Sequence, residues 1–95
     1  MPAYVISDVT FRDPQALAHY RKRAADSIAR HGGRYLTRGA TETLQGAWQP
    51  SALIIVEFPD VARARAWYRS PEDAAALQFR DAALSRNLIL VEGMA

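Results

Sequence analysis

Ala52-Leu53-Ile54-Ile55-Val56-Glu57-Phe58, closed by Pro59, is apolar at every position but one. Its β-branched content and its length predict a strand, and Pro59 ends it because proline cannot donate to a ladder. Alternation puts Ile54, Val56 and Phe58 on one face and Leu53 and Ile55 on the other. A sheet with one face in water alternates apolar with polar residues, and this segment does not. Both faces of the sheet therefore need cover.

The flanking segments supply the rest of the sheet. Ala3 to Phe11 alternates, with Tyr4, Ile6, Asp8 and Thr10 on one side and Val5, Ser7, Val9 and Phe11 on the other. Asp13-Pro14 opens a helix, aspartate as cap and proline at the first helical position. Leu17, Tyr20, Ala24 and Ile28 form its apolar stripe, Arg30 and His31 sit in the last turn, and Gly32-Gly33 ends it. Arg34 to Arg38 reads as a second strand, Gly39 as a bulge or bend, and Thr41 to Leu44 as an extended continuation. Gln45 to Pro50 is a turn.

After Pro59, Asp60 caps a short helix carrying Val61, Ala64, Trp67 and Tyr68. Ser70 with Asp73 is a capping-box pattern for a further helix to about Arg86, with Ala74, Leu77 and Leu84 inward. Leu88 to Glu92 is the last strand, with Ile89 and Val91 opposing Leu88 and Leu90, and Gly93 ends it. The order β-α-β-β-α-β, with its second helix broken in two, predicts a ferredoxin-like α+β fold. One four-stranded antiparallel sheet would have the first and third strands in the centre and the helices on one side.

The helices can cover one face only. The other is expected to carry Tyr4, Ile6, Leu53, Ile55, Leu88 and Leu90. At about 25 cal/mol per Å² of apolar surface, leaving that face in water forgoes an amount comparable with a small domain's whole stability. A second copy presenting the same face is the simplest cover, so a homodimer is expected.

Ninety-five residues fit one domain. The chain contains no cysteine, which excludes disulfides, thiolate metal sites and cysteine nucleophiles and points to a reducing, cytoplasmic home. Its first residues lack the basic and long apolar regions of a signal peptide, and no apolar run is long enough to span a membrane. The net charge is +2, with Arg21-Lys22-Arg23 as the one basic cluster. That cluster reads as a solvated helical turn, and neither nucleic acid nor a membrane is expected as partner.

Five blocks carry a family resemblance: Gly32-Gly33-Arg34-Tyr35-Leu36, Arg38-Gly39, Gly46-Ala47-Trp48-Gln49-Pro50, Val56-Glu57-Phe58-Pro59, and Ala66-Trp67-Tyr68-Arg69-Ser70-Pro71-Glu72. Taken in this order, from Tyr4 to Gly93, the chain resembles the bacterial domain of unknown function thirteen-thirty. The resemblance implies a dimeric α/β barrel, in which two sheets pack face to face and enclose a pocket. Superfamily members include cofactor-independent monooxygenases, muconolactone isomerases and haem-dependent chlorite dismutases, and these are analogies of fold alone. The sequence departs from the family pattern at Asp73, where an aromatic is usual, and at Ser51-Ala52, where an arginine follows the turn proline.

Glu57 is the lone carboxylate of an apolar strand, on the face expected to meet a partner, and Asp8 falls on the equivalent face of the first strand. A buried carboxylate needs a partner or a raised pKa, and Arg38 and Arg80 are the candidates to meet it. On one reading Asp8 or Glu57 is a general base and Arg38 holds an anionic substrate. On the other, Glu57 is half of a structural salt bridge. Tyr4, Trp67 and Tyr68 are candidate pocket walls, with core packing as the alternative. Trp48, an aromatic in a turn, points to an interface. His19 and His31 stand too far apart to form one helical metal pair, and no metal or other cofactor is expected; haem on His19 is the weaker alternative. No nucleophile elbow or phosphate-cradling glycine loop occurs.

Three functions compete on these residues. The first is a homodimer binding a small organic molecule, neutral or anionic, in an apolar pocket between sheet and helices or in the dimer barrel. The second is a cofactor-independent enzyme abstracting a proton from, or oxygenating, such a molecule. The third is a structural or regulatory interaction protein.

Overall fold

A computed structural model of the chain describes residues 1–11, 14–70 and 84–94. Its elements are β1 (Ala3–Phe11), α1 (Pro14–Arg30), β2 (Arg34–Gly39), β3 (Ala52–Phe58), α2 (Val61–Tyr68) and β4 (Leu84–Glu92). The strands form one antiparallel sheet in the order β2-β3-β1-β4, so β1 and β3 are central, as expected for a ferredoxin-like α+β fold. Among the described residues no helix is long and apolar enough to cross a membrane.

The core lies between the sheet and the helices. Ala3, Val5, Val56 and Phe58 from the sheet meet Ile28 of α1 and Ala64 and Trp67 of α2. The Phe58 and Trp67 rings pack tilted, with centroids 5.5 Å apart. Among the described side chains of α1, Tyr20, Ala24, Ser27 and Ile28 are buried, which is three residues of the expected stripe with one serine added; the Leu17 side chain lies outside the description. The Asp60 carboxylate accepts from the Arg63 amide at 2.7 Å and caps α2 as expected.

Two glycines close α1 for different reasons. Gly32 has φ +78°, a left-handed conformation that follows the last turn. Gly33 donates to the Ile28 carbonyl at 2.9 Å. A Cβ on Gly33 would lie 2.7 Å from both Ile28 and Phe58, so this position is set by space.

Four local expectations are corrected. β4 begins at Leu84 instead of Leu88, because its ladder with β1 continues to Phe11, so Leu84 to Arg86 are strand where a helix was expected. Leu88 and Leu90 pair with Ser7 and Val5 on the helix side, so Ile89 and Val91, opposite Ile6 and Tyr4, occupy the open face. A one-residue change of parity exchanges the two faces of a strand, and pairing decides that parity. The irregularity in β2 falls between Tyr35 and Thr37, not at Gly39, which pairs regularly with Leu53. Residues 40–44 are irregular and do not extend the ladder. Asp13, Asp73, Ala74 and Leu77 lie outside the described residues.

The open face is apolar across three strands. Ile6 is flanked by Ile55 and Ile89, and Tyr4 by Glu57 and Val91. Within one chain Ile89 is 57% exposed and Val91 42%.

Candidate functional site

The side chains of chemical interest fall on opposite faces of the sheet. Asp8, Glu57 and Tyr4 lie on the open face, where Tyr4 pairs with Glu57 and Asp8 with Leu53. Asp8 and Glu57 are thus four residues apart along β3's register, on the order of 13 Å at about 3.3 Å per residue. They do not converge. Glu57 Oε1 accepts from Arg34 Nε and Nη2, both at 3.0 Å. That is the structural salt bridge of the second reading, with Arg34 in the place expected for Arg38. Asp8 Oδ2 accepts from Trp48 Nε1 at 3.0 Å.

Arg38 stands on the helix face. The bulge after Tyr35 shifts the β2 register, so Arg38 pairs with Ile54 and its guanidinium lies 4.6 Å from the Tyr35 ring centroid. Simple alternation from Glu57 cannot foresee this, because a bulge changes parity once. Arg38 and Glu57 are therefore separated by the sheet itself. Arg80 lies outside the described residues.

The loop between β2 and β3 folds back over the open face. Thr41 Oγ1 donates to the Pro50 carbonyl at 2.8 Å, and Thr43 Oγ1 to the Trp48 carbonyl at 2.7 Å. Trp48, tethered to Asp8, walls a hollow of about 240 Å³ with Ile6, Asn87 and Ile89.

On the helix face two hollows share Val5 and Trp67 as a wall. The outer one, about 290 Å³, lies between α2 and β4 and is lined by Ala64, Trp67, Tyr68, Leu88 and Leu90, with Arg65 and Arg69 also on its wall. The inner one, about 40 Å³, lies between α1 and the sheet and is bounded by Tyr20, Tyr35, Arg21, Arg38, Arg86 and Trp67. Trp67 is buried, while Tyr68 is 53% exposed at the outer mouth with its ring 6.3 Å from Trp67.

The polar groups of the inner hollow are unevenly satisfied. Arg86 Nη1 donates to the Tyr20 hydroxyl at 2.7 Å, and its guanidinium lies 5.8 Å from the Tyr20 ring centroid. Arg86 Nη2 and Trp67 Nε1 are buried with no hydrogen-bond partner. Orphaned buried donors are rare because each forgoes its bond to water. Burial raises the Tyr35 phenol above its ordinary value of 10.0; nearby Tyr20 adds to the rise, and Arg38, Arg21 and Arg86 oppose it. At neutral pH that phenol is protonated.

Sequence reasoning missed Tyr20, Tyr35 and Arg86 as site residues. Tyr20 carried a usable signal: a hydroxyl on an otherwise apolar helical stripe needs a buried partner. Arg86 carried none, since it was expected in a helix. His31 Nδ1 lies 2.9 Å from the Ser27 carbonyl, a local helix-end contact. Among the described residues no group of three or more His, Asp or Glu side chains gathers to hold a metal.

A ferredoxin-like protomer with an open apolar sheet face and polar groups beneath its helices defines a class of small α+β proteins. Within it, this chain belongs to the family described as Domain of unknown function (DUF1330), which matches residues 2–94. Three solved structures illustrate the likeness. A protein of unknown function from Rhodopseudomonas palustris is 24% identical with TM-score 0.78, over 99% of this chain and 83% of that one. SnoaB, a cofactor-independent oxygenase from Streptomyces nogalater, is 15% identical with TM-score 0.69, over 99% and 94%. A dimeric ferredoxin-like protein of unknown function from Thermobifida fusca is 18% identical with TM-score 0.65, over 98% and 92%. At these identities the likeness is one of fold. No curated protein matches the chain.

Proposed function

We propose that this protein is a cytoplasmic homodimer that holds a small organic molecule between its sheet and its helices. One observation carries the reading: a hollow of about 290 Å³ opens between α2 and β4, walled by Val5, Ala64, Trp67, Leu88 and Leu90 with Tyr68, Arg65 and Arg69 beside them. These apolar walls suit a carbon skeleton, and the Arg65 and Arg69 guanidiniums are donors for its polar end. The outer hollow approaches the lower end of the usual range for ligand pockets. Trp67 and Tyr68 bind the ligand on this reading, and Arg38 stands at the inner rim.

The dimer reading rests on the open face and on the dimeric Thermobifida protein of similar fold. The cytoplasmic reading rests on the cysteine-free sequence. Native mass spectrometry of the gently purified protein tests the ligand directly. A dimer carrying a stoichiometric organic mass is expected; a ligand-free protein whose Trp67 fluorescence, read in a Trp48→Phe background, ignores a panel of small aromatics and acids would refute it.

The likeness to a cofactor-independent oxygenase favours a second reading, an enzyme acting on a small organic substrate. Asp8 or Glu57 would then be the base, working on the open face with Tyr4 beside Glu57. Turnover of hydroxylated aromatics and lactones, compared between the unmodified chain and Glu57→Gln or Asp8→Asn, decides the point. Equal rates in all three remove both carboxylates from the role.

A further inference from the structure

We infer that the outer edge of β4 is a pairing edge, and that it takes the β4 of a second copy running antiparallel about a two-fold axis. This contact uses the side of the strand and is separate from the face-to-face contact of the proposed dimer. β4 is nine residues long and ends the sheet, and among the described residues nothing pairs with its outer side. The bond from the Gly93 amide to the Pro2 carbonyl, at 2.7 Å, fixes which backbone groups point there. Gly93 continues the β1 register opposite Pro2, so every second residue before it, Val91, Ile89 and Asn87, turns its amide and carbonyl to β1. The backbone groups of Leu84, Arg86, Leu88, Leu90 and Glu92 point outward.

Edge strands are defended against such pairing by shortness, charge, proline or a bulge. β2, at the opposite edge, has these defences: six residues, an irregularity between Tyr35 and Thr37, and the charges of Arg34 and Arg38. The middle of β4 has none of them. Its register with β1 is unbroken, and Leu88-Ile89-Leu90-Val91 is an apolar run in which Ile89, Leu90 and Val91 are exposed. The strand is also self-complementary, as a two-fold contact requires. Antiparallel pairing centred on Ile89 sets Leu88 against the partner's Leu90 and Arg86 against the partner's Glu92, all four with backbone groups turned outward. A shift of two residues either way sets Glu92 against a leucine, Leu84 or Leu88. Opposite charges directly across a ladder stabilise it, and Arg86, though bonded to Tyr20 through Nη1, keeps its charge at that end of the strand.

Amide hydrogen exchange of the purified chain, read residue by residue by nuclear magnetic resonance from millimolar to micromolar concentration, tests the contact. The Ile89 and Val91 amides, bonded to β1, should be protected throughout. The Leu88 and Leu90 amides should be protected as well, and more strongly at the high end of the series. Face-to-face packing supplies those two amides with no acceptor, so this readout moves independently of the other contact. Leu90→Pro removes an outward amide and no bond to β1, a change that edge strands tolerate, and should leave the Leu88 amide exchanging freely. Glu92→Arg, at an exposed position that keeps the fold safe, sets like charges across the ladder and should weaken the pairing about tenfold. If the Leu88 and Leu90 amides exchange freely at every concentration, the edge is unpaired and the inference is overturned. Protection of Leu88 that survives unchanged in both variants overturns it equally, because the acceptor then lies elsewhere.

Discussion

Gly33 and Tyr35 show how much a single position decides here. At Gly33 the chain leaves α1 and passes so close to Ile28 and Phe58 that a methyl group has no room. Gly33→Ala should cost about 1–3 kcal/mol, the usual cost of overpacking, read as a lower urea midpoint with an unchanged slope. Tyr35 gives a pH signature. Its phenol is an acid whose folded pKa lies above the unfolded 10.0, so folding favours the protonated form. That contribution is fully present below pH 10 and is lost as pH rises through the folded value. Urea midpoints measured from pH 8 to 11.5 should therefore fall at the alkaline end, and Tyr35→Phe should flatten part of that fall. A slope identical in the variant would remove Tyr35 as its source.

At the scale of the element, α2 depends on its first turn. It is eight residues long, too short to stand without tertiary contacts, and it carries the Trp67 that divides the two hollows. Asp60→Ala removes the cap and should cost about 1 kcal/mol. Because the cap holds the helix that holds the indole, the Trp67 emission should also redden relative to the unmodified chain, with Trp48→Phe as background. A stability loss with unmoved emission would separate the cap from the position of Trp67. The strands follow a different rule. Their existence was legible from β-branched runs and proline stops, but their facing was legible only where alternation ran unbroken. β1 and β3 were read correctly because Val5, Ser7, Val9 and Val56, Phe58 alternate without interruption. β2 was misread at Arg38 because one extra residue after Tyr35 reverses the side beyond it.

At the scale of the molecule, the open face of the sheet leaves an apolar row in water. Ile6, Ile55 and Ile89 form one row across three strands, with Ile89 more than half exposed in the single chain. An aspartate at Ile89 leaves the protomer's own core untouched but places a charge in the proposed dimer contact. Ile89→Asp should keep the far-ultraviolet circular dichroism of the unmodified chain and sediment as a monomer at micromolar concentration. A variant that sediments like the unmodified chain would show that this face is not the contact.

Local chemistry, read along the chain, was enough for the element order, the α1 stripe, both glycine ends, the Asp60 cap and the two-sided apolarity of β3. Each is written in neighbouring residues, because periodicity, capping and turn geometry act over a few positions. The faces of Arg38, Leu88 and Leu90, the partner of Glu57, and the meeting of Tyr20 with Arg86 came only from the folded structure. They join residues far apart in sequence, and their outcome turns on ladder register and one bulge, quantities set by the packing of the whole sheet.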